Sequence, residues 1–151
     1  MSLYEKYVLP KFLNCACGSR PVERQRKKVV PLAEGKVLEI GIGSGLNIPF
    51  YDKSKIVEVW GLDPSDALCE MAKKVAFKES LEINFISSGA EEIPLPDNHF
   101  DTVLITYTMC TIPEVLRAND EIKRVLKSEG KMIFCEHGVA PDENIRKWQN
   151  R

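Results

Sequence analysis

The chain has 151 residues, is 44% hydrophobic and 28% charged, and carries a formal net charge of -1. That length and composition suit one globular domain with a substantial core, and the balanced charge gives no global electrostatic case for a nucleic-acid partner. No apolar run approaches the ~20 residues that span a bilayer, no secretory signal pattern is visible, and five cysteines read as reduced thiols, so a cytoplasmic protein is expected.

Residues 4–14 read as an N-terminal helix interrupted by Pro10. Cys15-Ala16-Cys17 follows without a matching second pair, so no metal site is expected there. Ser19, Pro21 and Glu23 form a helix start: a hydroxyl cap, an early proline and an early acid. This helix is expected to run to about Val30 and to stop before Pro31. Its basic cluster, Arg24-Gln25-Arg26-Lys27-Lys28, reads as a solvated face.

Residues 37–40 are the first strand, and Gly41-Ile42-Gly43-Ser44-Gly45 turns the chain at once. Residues 46–51 form a short or kinked helix at best, because Pro49 lacks an amide donor. Residues 57–62 are the second strand, ending at Asp63. Pro64-Ser65-Asp66 opens a helix with Leu68, Met71, Ala72, Val75 and Ala76 on one face. Residues 83–86 and 102–107 are the third and fourth strands. A helix carrying Val115, Leu116, Ile122, Val125 and Leu126 follows, with Gly130 placed to end it. Residues 131–135 are the fifth strand, and residues 142–149 start another helix.

Strands and helices alternating at these lengths predict an α/β fold with a doubly wound parallel sheet, helices on both faces. Right-handed crossovers then bring the glycine turn, Asp63 and the segment after the fourth strand to one edge. A strand, a glycine turn and a carboxylate about 20 residues on make a nucleoside site: the glycines give room and the acid takes ribose hydroxyls. The dinucleotide spacing Gly-x-Gly-x-x-Gly is not met, since Gly45 comes one residue early and Leu46 holds the fingerprint position. Glu39, two residues before the first glycine, disfavours a pyrophosphate and suits a cationic amino group and a sulfonium.

The run Val37-Leu38-Glu39-Ile40-Gly41-Ile42-Gly43-Ser44-Gly45 resembles the first motif of the class I S-adenosylmethionine-dependent methyltransferases. Four further segments are similar to motifs of that family, in its order: Gly61-Leu62-Asp63-Pro64-Ser65, Gly89 to Asp97, Asn98-His99-Phe100-Asp101, and Arg124 to Lys131. The closest subgroup is the small-molecule (type 11) branch that includes ubiquinone and menaquinone biosynthesis enzymes. Glu136-His137-Gly138-Val139-Ala140 resembles a thiol-methyltransferase-like branch of it.

The resemblance implies a Rossmann-like fold, S-adenosyl-L-methionine as cofactor, and methyl transfer to a small-molecule acceptor, with no nucleic-acid substrate. It implies that Glu39 faces the cofactor's amino group through water or the turn backbone. Gly41, Gly43, Gly45 and Asn47 would line the methionine and ribose. Asp63, with Pro64 and Ser65, would hold the ribose, Ala90 and Glu91 the adenine, and Thr106 the methionine end. Tyr107 and His137 are the catalytic candidates, His137 as a general base for a thiol or phenol. Cys110 reads as a small core residue.

Two departures stand out. The adenine loop has Ser88-Gly89 where relatives carry an acid after the glycine. Relatives also continue beyond the fifth strand with a helix and two more strands, so a truncated chain is expected: a helical cap over residues 1–35 and a cofactor domain over 36–151. The fifth strand would then be an exposed edge, prone to self-association. The alternatives are a non-catalytic cofactor-binding fragment and, disfavoured by Glu39 and the glycine spacing, a nicotinamide-dependent oxidoreductase.

Overall fold

The computed structural model describes residues 19–138, 142 and 143. The helix expected over 4–14, the Cys15-Ala16-Cys17 pair and the helix expected from Asn144 lie outside the described residues. Helix α1 (Arg20–Val29) has Ser19 at its cap position, without a side-chain cap bond. It ends before Pro31, as expected, and a 3-10 turn, Val30–Leu32, follows, with proline at a position where no amide is required.

Five strands follow: β1 (Gly35–Ile40), β2 (Ile56–Leu62), β3 (Asn84–Ile86), β4 (Phe100–Thr106) and β5 (Leu126–Cys135). They form one sheet in the order β3-β2-β1-β4-β5, every pair parallel. The order reverses at β1, and this places the switch point beside the glycine turn. Helix α2 (Asp66–Glu79) supplies the β2–β3 crossover and α3 (Val115–Val125) the β4–β5 crossover, while the β1–β2 connection carries only the 3-10 turn Ile48–Phe50.

Side chains alternate across the sheet, and both faces are buried. Leu38 and Ile40 of β1 join Val103 and Ile105 of β4 on one face, packed with Ala118, Ile122 and Val125 of α3. Val37 and Leu104 point the other way, onto Val30, Ala33 and Tyr51. That second face also carries Glu39 and Thr106, and this is how two polar groups enter the interior. Ala72 and Ala76 of α2 pack on Ile42 and Ile48.

Helix α3 ends at Val125, not at Gly130. Leu126 is already extended and pairs with Phe100, and the β4–β5 register then shifts so that Thr102 meets Lys131. Pairing with β4 overrides the glycine stop signal. Cys110 also departs from expectation: it lies in the 3-10 turn Met109–Thr111 and is exposed. No helix among the described residues is long and apolar enough to cross a membrane.

Candidate functional site

The glycine turn owes its shape to three glycines at positive φ, Gly41, Gly43 and Gly45, of which the first two face the segment after β4 and the open space. Gly41 and Gly43 have φ of 68° and 54°, a region that costs other residues strain. A Cβ on Gly41 would strike the Thr108 side chain, so Gly41 lets the segment after β4 close onto the turn. A Cβ on Gly43 would meet nothing nearer than the Gly41 carbonyl at 3.8 Å. The space above Gly43 is open.

Asp63 faces that space from the end of β2. Its Oδ2 accepts the Gly43 amide at 3.0 Å and its Oδ1 accepts the Ser65 amide at 2.8 Å. The carboxyl is 7% exposed; burial raises its pKa, and the two amides oppose the rise. Ser65 also caps α2, its side chain accepting from the Leu68 amide.

A groove runs along the carboxyl edge of the sheet in two lobes. Gly41, Asp63, Leu68, Thr108 and Thr111 wall both. One lobe adds Pro64, Ser65, Ala90 and Glu91; the other adds Arg26, Gly43, Thr106 and Tyr107. Most of the site residues expected from sequence thus meet on one surface.

Four others do not line it. Gly45 sits behind the turn, where a Cβ would meet Ile48 Cδ1 at 2.7 Å and Ala72 Cα at 3.0 Å. Glu39 and Asn47 lie beneath the turn, 2% and 0% exposed. Glu39 Oε1 accepts from Asn47 Nδ2 at 2.8 Å and Oε2 from the Tyr51 hydroxyl at 2.7 Å. Burial pushes the Glu39 carboxyl up to about 7, against the pull of both hydrogen bonds. Its link to the groove runs through the Asn47 and Thr106 side chains rather than through the turn backbone. His137 is exposed beyond β5, its ring centroid 4.7 Å from that of Tyr107.

Arg26 corrects the reading of the basic cluster. It is 6% exposed, and Nη1 donates to Asn47 Oδ1 at 2.7 Å and to Thr106 Oγ1 at 2.6 Å. Asn47 Nδ2 also reaches Thr106 Oγ1 at 2.9 Å. Tyr51, Glu39, Asn47, Thr106 and Arg26 form one buried polar chain from the core to the groove. No sequence signal marked Arg26 off from its charged neighbours, since its partners Asn47 and Thr106 lie 21 and 80 residues away.

Tyr107 holds a positive φ of 55°, uncommon for an aromatic residue. Its ring is in contact with the Arg26 guanidinium, 5.2 Å from the centroid, and with the His137 ring. Cys135 Sγ donates to its hydroxyl at 3.4 Å. Burial, then the Cys135 contact, pushes the phenol up to about 12, so it is neutral at ordinary pH. Glu136 braces the same wall: Oε1 accepts the Thr108 and Met109 amides at 2.8 and 3.2 Å.

The loop carrying Ala90 is clamped from α3. Arg124 donates to the carbonyls of Ile93 and Leu95, and to Glu121 and Asp97. Glu121 returns to the Ile93 amide at 2.8 Å, and Arg124 holds its carboxyl down to about 2. Sequence reading missed this clamp because its partners lie about thirty residues apart.

The family model described as "Methyltransferase domain" matches residues 38–134, more than half of the chain. The chain belongs to the class I S-adenosylmethionine-dependent methyltransferases, in their type 11 branch. Phosphatidylethanolamine N-methyltransferase of Cereibacter sphaeroides is 33% identical over 105 residues, 68% of this chain and 51% of that protein. The ubiquinone/menaquinone biosynthesis C-methyltransferase UbiE of Rickettsia bellii is 30% identical over 124 residues, 78% of this chain and 50% of that protein. The crystal structure of YcgJ from Bacillus subtilis superposes with a TM-score of 0.70 at 28% identity, covering 84% of this chain and 54% of that one. The chain spans about half the length of the curated relatives it matches.

The cofactor of this family is S-adenosylmethionine, and the methyltransferase groove fits it. Open space lies over Gly43, a braced carboxylate stands beside it, and Ala90 and Glu91 wall the adjoining lobe with Asp63 and Leu68.

Proposed function

We propose that this chain transfers a methyl group from S-adenosylmethionine to a small-molecule acceptor by in-line displacement. The reading rests on one observation: Asp63, the glycine turn, the Ala90-Glu91 loop, Thr106 and Tyr107 share one groove. When bound, S-adenosylmethionine supplies an electrophilic methyl on a sulfonium, a good leaving group. The chain's own work is then positioning and exclusion of water.

Asp63 is assigned to the ribose hydroxyls, with Pro64 and Ser65 beside it. Ala90 and Glu91 flank the adenine. Gly41 and Gly43 give room for the backbone to approach, and Gly45 supports them by packing. Thr106 and Arg26 meet the methionine end, held there by Asn47 and Glu39. Tyr107, as a neutral phenol, orients the acceptor. His137, against the Tyr107 ring, is the general base where the acceptor must lose a proton.

The named relatives act on phosphatidylethanolamine and in ubiquinone and menaquinone biosynthesis, which supports a small or lipid-like acceptor. Incubation with S-adenosylmethionine and a panel of thiol, phenol and lipid acceptors tests the proposal. Release of S-adenosylhomocysteine above the acceptor-free rate, abolished by Asp63→Ala, is the expected result. Tight cofactor binding with no turnover on any acceptor would leave a non-catalytic binding module instead.

A further inference from the structure

A second cavity, of about 540 Å³, lies on the far side of the glycine turn from Asp63. Its origin is local. Pro49 restricts the segment after the turn to a single 3-10 turn, Ile48–Phe50, and this three-residue piece is what stands between α1 and α2. Packed helices fill a layer at 8–10 Å separations, so a layer with one short turn in it leaves room. The walls are apolar: Leu46 and Phe50 from the turn, Met71 and Val75 from α2. Arg26, Ser44 and Leu46 wall both this cavity and the cofactor groove, so the two spaces are neighbours across the turn.

We propose that this cavity receives the apolar hydrocarbon tail of the methyl acceptor. The inference rests on the methyltransferase reading above and deepens it by naming the substrate class, an amphiphile with a polar reacting end. The volume lies within the range of small-ligand sites, and the lining is of the usual kind: mostly apolar with few polar groups. Of the charged residues that border the cavity, only Arg26 also walls the cofactor groove, where the head group would emerge. Glu23 is already paired with Lys27 at 2.6 Å. Lys74 is exposed where it borders the cavity, so its ammonium stays in water, whereas the Arg26 guanidinium stands where cavity and groove meet, so an anionic head group is favoured over a cationic one.

The test is calorimetric titration with decanoate and with decyltrimethylammonium, both below their micelle-forming concentrations, in the presence of S-adenosylhomocysteine. Wild type, Met71→Trp and Val75→Trp are compared, each with its own S-adenosylhomocysteine titration. Wild type is expected to bind decanoate saturably and more tightly than the ammonium probe. Each tryptophan fills the cavity and is expected to weaken decanoate by about tenfold or more. Cofactor affinity is expected to stay within about twofold, because these side chains do not line the cofactor groove. No saturable decanoate binding, or unchanged binding in a tryptophan variant that still takes the cofactor product, overturns the inference alone. Decanoate binding without S-adenosylhomocysteine binding overturns the methyltransferase reading and, with it, the acceptor role of the cavity.

Discussion

The Asp63 carboxylate accepts the Gly43 amide at 3.0 Å, so the acid that ends β2 and the turn that follows β1 form one unit. The bond fixes the distance between the group assigned to ribose and the backbone beside which the ligand lies. Asp63→Ala removes a charged acceptor from both the turn and the ligand. The expected loss in S-adenosylhomocysteine affinity is about 2–4 kcal/mol, roughly 30- to 1000-fold, read by calorimetry. A loss under about threefold would show that Asp63 braces the turn without touching the ligand.

Gly41 and Gly43 separate two effects of adding a methyl group. Gly43→Ala places its Cβ in open space and carries the left-handed strain, about 1–2 kcal/mol of stability. Gly41→Ala carries the same strain and also strikes Thr108, adding about 1–3 kcal/mol. Urea denaturation is expected to rank Gly41→Ala as the less stable variant. Cofactor affinity is expected to fall in Gly43→Ala beyond what its stability loss explains, because the new methyl occupies ligand space. Equal stability of the two variants would count against the Gly41–Thr108 contact.

Glu39 gives the fold a pH signature. Burial raises its folded-state pKa from 4.5 to about 7. Between those values the folded chain keeps the proton and the unfolded chain has lost it. The Glu39 contribution to stability therefore falls as pH rises through this window, by about 3 kcal/mol in all, and is level above it. Glu39→Gln cannot titrate. The stability difference between variant and wild type is expected to shift in the variant's favour between pH 4.5 and 7.5. A difference that stays constant across that range would place the carboxyl's titration outside it.

The strands, the glycine turn and Asp63 were all legible, because each is written in contiguous residues; the strand order around β1 was not, because it depends on pairing between distant segments. Hydrophobic runs mark the strands, and local spacing marks the turn and its acid. Arg26 was not legible. Its neighbours in sequence are charged and exposed, and its burial depends on Asn47 and Thr106, 21 and 80 residues away. The role of Gly130 failed for the same kind of reason: pairing of Leu126 with Phe100 ends α3 five residues earlier. Tyr107 and His137 were separately nominated, but only the parallel pairing of β4 with β5 explains why their rings touch.

The β5 edge presents Phe134 at 61% and Met132 at 38% exposure. Self-association of this chain through that edge is proposed. Sedimentation is expected to give a mass that rises with concentration, and Phe134→Ser to reduce it. A monomer at every concentration, with β5 amides protected from hydrogen exchange, would contradict it.

The central claim is that the groove beside Asp63 and Gly43 takes S-adenosylmethionine. Calorimetric titration with S-adenosylhomocysteine, with NAD as the control, tests it most directly. Saturable one-to-one binding of S-adenosylhomocysteine at micromolar affinity or better, and none of NAD, is the expected result. Binding of NAD alone would contradict the readings of Glu39 and the glycine spacing, and binding of neither would contradict the assignment of the groove.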